Sequence, residues 1–426
     1  MAKRIEQQRN SDEDKPFEHF ESEFLGQDGE KLEIKAEEES VEKIERFISD
    51  IKETETREKV KKLLEELNLD NQSLATVIEE AKDNQECSCN AQIEEQLKAL
   101  MHRNSPEDRD TIIGEKVRAS SYIKEKGELL DYLDLNSPIY EQFGITPMIT
   151  ADREDMIKDL AKLLLEIGQE KLAQYDTIIG DDVAGRLPSL FMKKAIRKVK
   201  EKSRSEDSKI KSPEVFFVFA GRAIWPRSAE DDGMRKNVQL SQDAEKKRFK
   251  NIEKHFSGKK MGKTLVVTDF VDSGGSMVNL SNALENTNVD FDVAAVSLSE
   301  KFFGRISNSL FELIKDLQQG KEANIDGFLN IMKLLKKLKY GDINDAGNAF
   351  GYEAPKVVRG DRFSDSPFSK AEEITQNGSF PKKSKDFYKY GELRGDMDFL
   401  SINLTHDLFG TEITNREALK FNLDKK

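Results

Sequence analysis

Four short, mainly apolar runs alternate with helical patterns in the middle of the chain. They lie at residues 175–179, 215–219, 264–268 and 291–297, and most of them are apolar at successive positions rather than at every second one. That pattern indicates strands buried on both faces, as in a parallel sheet covered by helices. The predicted fold class is therefore α/β, with a parallel sheet flanked by helices.

Outside this sheet the pattern changes from one segment to the next. Residues 37–104 carry apolar positions three and four residues apart, which predicts amphipathic helices in a coiled coil or small bundle. Such helices fit a homo-oligomer or protein-partner module and a solvated spacer equally well. In chain order, the predicted segments are a disordered acidic tail (1–36), this helical region (37–104), a linker or hood (105–149), the sheet domain (150–305), a helical addition (306–340) and an irregular, loop-rich C-terminal extension (341–426).

The composition limits the partners of the chain. Of its 426 residues, 37% are hydrophobic and 35% are charged, and the formal net charge is −13. An acidic balance argues against general nucleic-acid binding and against binding to anionic membranes. Because no run approaches the ~20 apolar residues of a membrane-spanning helix, we expect no membrane partner.

The two cysteines, Cys87 and Cys89, lie two positions apart. This spacing is unsuited to a disulfide between them, and the surrounding residues add no further ligand for a zinc site. Two free thiols are typical of a reducing compartment. Since the N-terminus also lacks the pattern of a signal peptide, we expect a cytoplasmic protein.

The third apolar run leads into the most informative stretch of the chain, TLVVTDFVDSGGS at 264–276. A buried strand is followed there by two carboxylates, a cluster of hydroxyl and glycine residues, and a helical pattern. Such a loop turns several backbone N–H groups and the positive end of a helix towards one point, which favours a phosphate. The carboxylates fit sugar hydroxyls, Mg²⁺ or a proton in transfer. The loop residues are Asp269, Asp272, Ser273, Gly274, Gly275 and Ser276.

A second glycine-bearing turn, GDDVAGR at 180–186, follows the first apolar run. Its two glycines have the spacing of a nucleotide P-loop, but Arg186 and Leu187 stand where that motif needs Lys and then Ser or Thr. Because ligands of parallel sheets bind beyond the carboxyl ends of the strands, we expect both turns to lie at one ligand-binding edge. The candidate binding residues of this turn are Gly180, Asp181, Gly185 and Arg186.

The segment VVTDFVDSGGS resembles the ribose-phosphate motif of type I phosphoribosyltransferases, in which a strand ends in two acids and a hydroxyl and glycine loop follows. Asp269 matches the second acid and 273–276 match the loop, whereas Thr268 replaces the first acid. Asp272 falls where hypoxanthine-guanine members carry an aspartate that handles a purine proton. The resemblance covers about residues 150–300 and implies a phosphoribosyltransferase-like fold.

The resemblance also implies a role for each loop. The 273–276 loop would hold the 5′-phosphate, Asp269 would bind the ribose hydroxyls and Mg²⁺, and Asp269 and Asp272 would be the catalytic residues. The 180–186 turn would bind pyrophosphate, with Arg186 as a phosphate partner. The doubled acid Asp181-Asp182 is unusual for a site that holds an anion, and it fits either a bridging cation or a capping turn without a ligand. The ligand would be phosphoribosyl pyrophosphate or a nucleotide, and a nucleobase would accept the ribose phosphate as pyrophosphate leaves.

A mobile lid is the third element that the resemblance implies, and it falls at residues 221–263. Arg222 is its candidate phosphate contact, Trp225 either stacks on a base or packs in the core, and the Lys-rich run at 246–250 is predicted to be a solvated face. Two functions stay open. The chain is a phosphoribosyltransferase, or it is a non-catalytic nucleotide-sensing or regulatory module, which the loss of the first acid at Thr268 favours.

Overall fold

The computed structural model describes residues 20–67, 69–83, 90–101, 106–118, 154–181, 185–203, 210–220, 232–344 and 385–417. These residues fall into two compact units. The first unit takes in the described chain up to Ile93 together with 310–325. The second takes in 94–309 and the residues from 326 onward.

The first unit is helical, whereas strands and helices alternate in the second. In chain order the elements are α1 (Phe20–Asp50), α2 (Thr54–Leu67), α3 (Asn71–Asp83), α4 (Asn90–Met101), α5 (Pro106–Lys116), α6 (Glu154–Ile167), α7 (Gln169–Leu172), β1 (Tyr175–Asp181), α8 (Arg186–Lys202), β2 (Glu214–Val218), α9 (Asp232–Phe256), β3 (Lys263–Val271), α10 (Gly275–Glu285), β4 (Phe291–Ser299), α11 (Lys301–Gln318), α12 (Ile325–Lys337), β5 (Leu338–Asn344) and α13 (Lys385–Phe409). Over the described ranges, none of the helices combines the length and the apolar character needed to cross a bilayer.

Apolar helix faces hold the first unit together. Leu63 of α2 and Val77 of α3 are fully buried, as positions on the inner face of an amphipathic helix should be. The start of α2 is tied to the end of α1 by Arg57, whose guanidinium donates two hydrogen bonds to the carbonyl oxygen of Ile51, at 3.0 and 2.6 Å.

The strands of the second unit form one parallel sheet in the order β2-β1-β3-β4-β5. The prediction of an α/β fold with a parallel sheet flanked by helices is therefore confirmed. From β1 the chain moves outward to β2, returns to the other side of β1 as β3, and continues outward to β4 and β5. The winding direction thus reverses between β1 and β3, the place where open α/β sheets bind ligands.

Side chains along the central strands alternate between two helical layers. Ile178 and Leu265 belong to a core shared with α6, α8 and α13. The neighbouring residue Ile179 is equally buried and pairs with Phe216, whose ring meets that of Phe256 in α9 at 5.6 Å. Because successive strand residues face opposite ways, the sheet lies between a layer containing α6, α8 and α13 and a layer containing α9.

Two helices extend beyond the predicted helical regions. α1 begins at Phe20, inside the segment predicted to be a disordered tail, and the sequence EKLEIKAEEE at 30–39 is rich in strong helix formers. α13 lies in the segment predicted to be loop-rich. Its Gly391 and Gly395 weaken the helical pattern, but Phe399 and Leu404 are buried in the core shared with α8, so tertiary packing outweighs local propensity.

The fifth strand was not among the four predicted ones. β5 follows α12 at Leu338 without an intervening turn residue, so no break in the sequence separates helix from strand. Pairing decides the conformation instead, since Leu338 lies opposite Val293 and β5 runs parallel to β4. The sheet domain therefore extends past its predicted end at 305.

The amino-terminal edge of the sheet is closed by a buried charge network. The Asp292 carboxylate at the start of β4 accepts hydrogen bonds from the Tyr175 hydroxyl at 2.9 Å and the Lys171 ammonium at 3.0 Å. Burial alone would raise the pKa of the Asp292 carboxyl, but these two hydrogen bonds outweigh burial and hold the pKa below its usual range. The charges at this edge are thus compensated within the protein.

The C-terminal segment is tied to α8 by a second buried network. Glu417 accepts hydrogen bonds from the ammonium groups of Lys194 at 2.6 Å and Lys198 at 2.9 Å. Burial acts to raise the pKa of Glu417, yet the two lysines bring it down to about 2 from the usual 4.5. Because the folded-state pKa is depressed, this network stabilises the fold above pH 4.5, and its contribution is lost as the pH falls from there towards 2.

Glu417→Gln should lower the free energy of unfolding at neutral pH and flatten its dependence on pH between about 5 and 3. Urea denaturation across this range measures both effects. Glu39→Gln is the matched control, because Glu39 pairs with Lys35 of the same helix at an exposed site away from this network. Equal pH slopes for the wild-type chain and Glu417→Gln would show that the network contributes nothing to acid stability.

Candidate functional site

The two glycine-bearing turns meet at the carboxyl-terminal edge of the sheet. β1 pairs with β3 in parallel, and the last register pair joins Gly180 to Val267. β1 ends one residue beyond this pair, at Asp181, and β3 ends four residues beyond it, at Val271. The two neighbouring parallel strands thus bring both turns to the same edge, where the winding direction of the sheet reverses.

Gly185 shows how close the two turns are. A side-chain carbon at this position would overlap the carbonyl oxygen of Val267 in β3 and backbone atoms of Asp181. The Gly185 N–H also donates to the Asp181 carbonyl oxygen at 2.5 Å, which closes the turn before α8 begins. Only glycine allows this approach, so the turn is held directly against β3.

Asp269 is buried near the carboxyl-terminal end of β3. Its exposure is 2%, and that of the preceding Thr268 is 1%. By strand alternation Asp269 shares the face of Leu265 and Val267, which pack in the core with α8. A carboxylate on this side is favoured by the positive end of α8, which starts at Arg186.

Gly274 forms the turn into α10. Its φ of 73° is left-handed, and its carbonyl oxygen accepts the N–H of Val278 at 2.8 Å, so it serves as the N-cap of the helix. A glycine has no side chain to cap the following N–H groups, and those of Gly275 and Ser276 remain directed out of the helix end. These donors form the anion-binding part of the loop that the sequence predicts.

Asp272 and Ser273 are exposed at the rim, unlike Asp269. The Asp272 carboxylate forms an ion pair with Arg305 of α11, with 2.9 Å between Oδ2 and Nη1. The structure therefore separates the two predicted catalytic acids by environment, since one is buried at the strand end and the other is solvated and paired with an arginine.

The first turn of α8 carries Arg186, the predicted phosphate partner. This side chain is 8% exposed, and its guanidinium carbon lies 4.4 Å from the centre of the Phe217 ring in β2. Asp181 accepts a hydrogen bond from the Ala220 N–H at 3.3 Å, so the ends of β1 and β2 are joined there. Asp182, Arg222 and Trp225 lie outside the described residues.

Sequence reasoning missed two arginines near this edge. Arg248 falls in the Lys-rich run predicted to be a solvated face, yet it is fully buried, with its guanidinium 4.3 Å from the Phe219 ring centre. Its signal was its spacing, since Arg248 lies one helical turn before the buried Ile252. Arg305 gave no signal, because its partner Asp272 is 33 residues away and only the fold brings the two together.

The site offers hard oxygen donors from two strands. Asp269 lies in β3 two residues past Val267, and Asp181 ends β1 directly after Gly180, which pairs with Val267. By strand alternation the two side chains leave opposite faces of the sheet. Mg²⁺ is commonly bound by one or two carboxylates together with phosphate oxygens of a ligand, and Asp269 alone supplies one such carboxylate. Over the described ranges, no group of three or more His, Cys, Asp and Glu side chains is placed to hold a metal ion.

Comparisons of the chain with family models, with curated proteins and with solved structures gave no match. The likeness to phosphoribosyltransferases therefore rests on the segment at 266–276.

Gly274→Ala should destabilise the fold more than Gly258→Ala, as measured by urea denaturation. Both glycines have left-handed φ values, 73° and 76°, so each alanine carries a conformational cost of about 1–2 kcal/mol. An added side chain at Gly274 would also come within 2.9 Å of the Phe302 ring, whereas Gly258 has open space around it. We expect a further loss of about 1–3 kcal/mol at Gly274 from this overlap. Equal losses at the two positions would contradict tight packing of the loop against Phe302.

Proposed function

We propose that the sheet unit binds phosphoribosyl pyrophosphate or the 5′-phosphate end of a nucleotide. The observation that carries this proposal is the close approach of Gly185 to Val267 in β3, two residues before the buried Asp269 and ahead of the glycine loop that follows the strand. A phosphorylated sugar combines the two groups that such an edge can recognise. Its phosphate suits backbone N–H groups, and its hydroxyls suit a carboxylate.

Each half of the ligand has its own partners in this proposal. The 5′-phosphate accepts hydrogen bonds from the N–H groups at the start of α10, at Gly275 and Ser276, and from the hydroxyls of Ser273 and Ser276. Asp269 accepts hydrogen bonds from the ribose 2′ and 3′ hydroxyls. Charge-assisted hydrogen bonds of this kind are stronger than neutral ones, so Asp269 contributes a large share of the affinity.

In this proposal Asp181 and Arg186 lie beside the pyrophosphate group of the ligand. Mg²⁺, when bound, would offset the charge of the diphosphate oxygens. Asp269 is the residue that would hold it. Asp181 brings a carboxylate to the part of the edge where Thr268 replaces an acid, since Asp181 follows Gly180, which pairs with Val267 directly before Thr268.

Transfer of the ribose phosphate is the reaction that this arrangement supports. The bond between C1 and the pyrophosphate oxygen breaks, with its electron pair leaving on pyrophosphate, and a nucleobase nitrogen forms the new bond to C1. A carboxylate near C1 stabilises the positive charge that develops during this step. In our proposal Asp269 is that carboxylate.

A second function, nucleotide sensing without turnover, is favoured by a specific observation. Asp272, the predicted proton-handling acid, is exposed and paired with Arg305 at 2.9 Å. Its Oδ2 is thus already engaged by the guanidinium rather than open to a nucleobase. Ligand binding is common to both functions, and only turnover separates them.

Titration calorimetry with phosphoribosyl pyrophosphate and Mg²⁺ tests the binding proposal. We expect saturable binding by the wild-type chain and binding about tenfold or more weaker for Asp269→Asn, because hydrogen bonds to a charged group contribute ~1.5–3 kcal/mol. Asp290→Asn is the matched control, since Asp290 is an exposed acid that pairs with Lys263 at the opposite edge of the sheet. Equal affinities of the wild type and Asp269→Asn would refute the proposed site.

Turnover is tested by measuring pyrophosphate release with a panel of nucleobases under saturating ligand. Release that depends on one base, and that is lost in Asp269→Asn, would establish a transferase. Binding without release for any base would leave the sensing function.

A further inference from the structure

The loop at 272–276 contains a feature that opposes phosphate binding. Asp272 directly precedes Ser273, so it places a negative charge at the rim of a loop whose backbone donors suit an anion. Its side chain is 58% exposed, and water weakens the repulsion without removing it. A loop that binds a phosphomonoester, with a charge near −2, needs this aspartate to be compensated.

The structure places a cation where it compensates Asp272. Arg305 lies in α11, and its Nη1 is 2.9 Å from Oδ2 of Asp272. Phe302, one turn earlier on the same helix, is the residue that packs against Gly274. Residues three apart share a helix face, so one face of α11 contacts both the backbone of the loop and its charged rim.

The ion pair between Arg305 and Asp272 is too exposed to be explained by a contribution to the stability of the fold. Arg305 and Asp272 are 43% and 58% exposed, and pairs between exposed side chains contribute little to folding. A guanidinium has five N–H donors, and the contact with Asp272 is made through one of its nitrogens, Nη1. The main effect of Arg305 is therefore on the electrostatic potential at the entrance of the loop.

We infer that Arg305 is the charge-compensating residue of the phosphate loop: by pairing with Asp272 beside Gly274, it lets the loop accept a dianionic phosphomonoester. This inference rests on the proposed function. It makes Arg305 a positioning and specificity-determining residue, and it defines the ligand class as sugar phosphates with a terminal phosphomonoester. A neutral sugar gains nothing from Arg305.

The inference predicts effects of opposite sign for the two partners. Arg305→Gln leaves the Asp272 charge uncompensated and should weaken the binding of ribose 5-phosphate by roughly three- to tenfold, the size expected of a half-exposed charge. Asp272→Asn removes the repulsion and frees the guanidinium, so it should strengthen binding by a similar factor. Both effects should shrink as the salt concentration rises.

Calorimetric titration with ribose 5-phosphate at low and high salt tests these signs. Arg305→Lys keeps the positive charge and should retain most of the wild-type affinity. Arg197→Gln, which removes an exposed arginine from an ion pair on α8, is the control and should change nothing. Thermal unfolding of each variant establishes that it is folded.

Opposite signs for Arg305→Gln and Asp272→Asn, together with salt dependence, support the inference. Equal weakening by both variants would overturn it, because it would mean that the pair only holds the shape of the loop. Unchanged affinity in Arg305→Gln would overturn it while leaving the proposed function intact. Absence of ribose 5-phosphate binding by the wild-type chain would overturn the inference, whereas the proposed function is overturned only if phosphoribosyl pyrophosphate with Mg²⁺ also fails to bind.

Discussion

The parallel pairing of β1 with β3 is the contact on which the candidate site depends. The two strands are separated in the chain by α8, β2 and α9, yet their register brings Gly180 level with Val267. Because side chains at a strand end alternate between faces, a shift of one residue would turn Asp269 away from the layer that contains α8. The register is set by burial, since Ile178, Ile179 and Leu265 are fully enclosed between two helical layers.

The two edges of the sheet differ in how their charged groups are compensated. At the amino-terminal edge, Asp292 is neutralised by Lys171 and supported by the Tyr175 hydroxyl, so this edge is closed within the protein. At the carboxyl-terminal edge, glycines replace bulky side chains and backbone donors face outward at the start of α10. In our proposal the anionic ligand therefore enters at the carboxyl-terminal edge, where Arg305 offsets the charge of Asp272 at the rim.

The parts of the fold that could be predicted are those coded by local pattern. Continuous apolar runs identified the four strands and the burial of β1, β3 and β4, whereas β2 lies at the edge of the sheet and is largely half-buried. The glycine turns were recognised from their spacing. β5 could not be predicted, because the sequence passes from α12 to Leu338 without a break and pairing with β4 decides the conformation. α13 was missed for the same kind of reason, since its glycines argue against a helix and its packing with α8 outweighs them.

The residues of the candidate site also fall into two groups, those that the sequence identifies and those that only the fold brings to the edge. Its loop residues follow one another in the chain, so motif and physical chemistry identify them together. Arg305 and Arg248 reach the edge from helices that carry no motif, and their positions depend on how α11 and α9 pack. Sequence therefore indicates what kind of ligand the loops suit, whereas the charge balance around that ligand is a property of the folded chain.

A crystal structure of the chain with ribose 5-phosphate and Mg²⁺ tests the central claim most directly. The account predicts phosphate oxygens about 3 Å from the backbone nitrogens of Gly275 and Ser276, with the ribose hydroxyls at the same distance from the Asp269 carboxylate. A sugar phosphate bound away from the ends of β1 and β3 would contradict it.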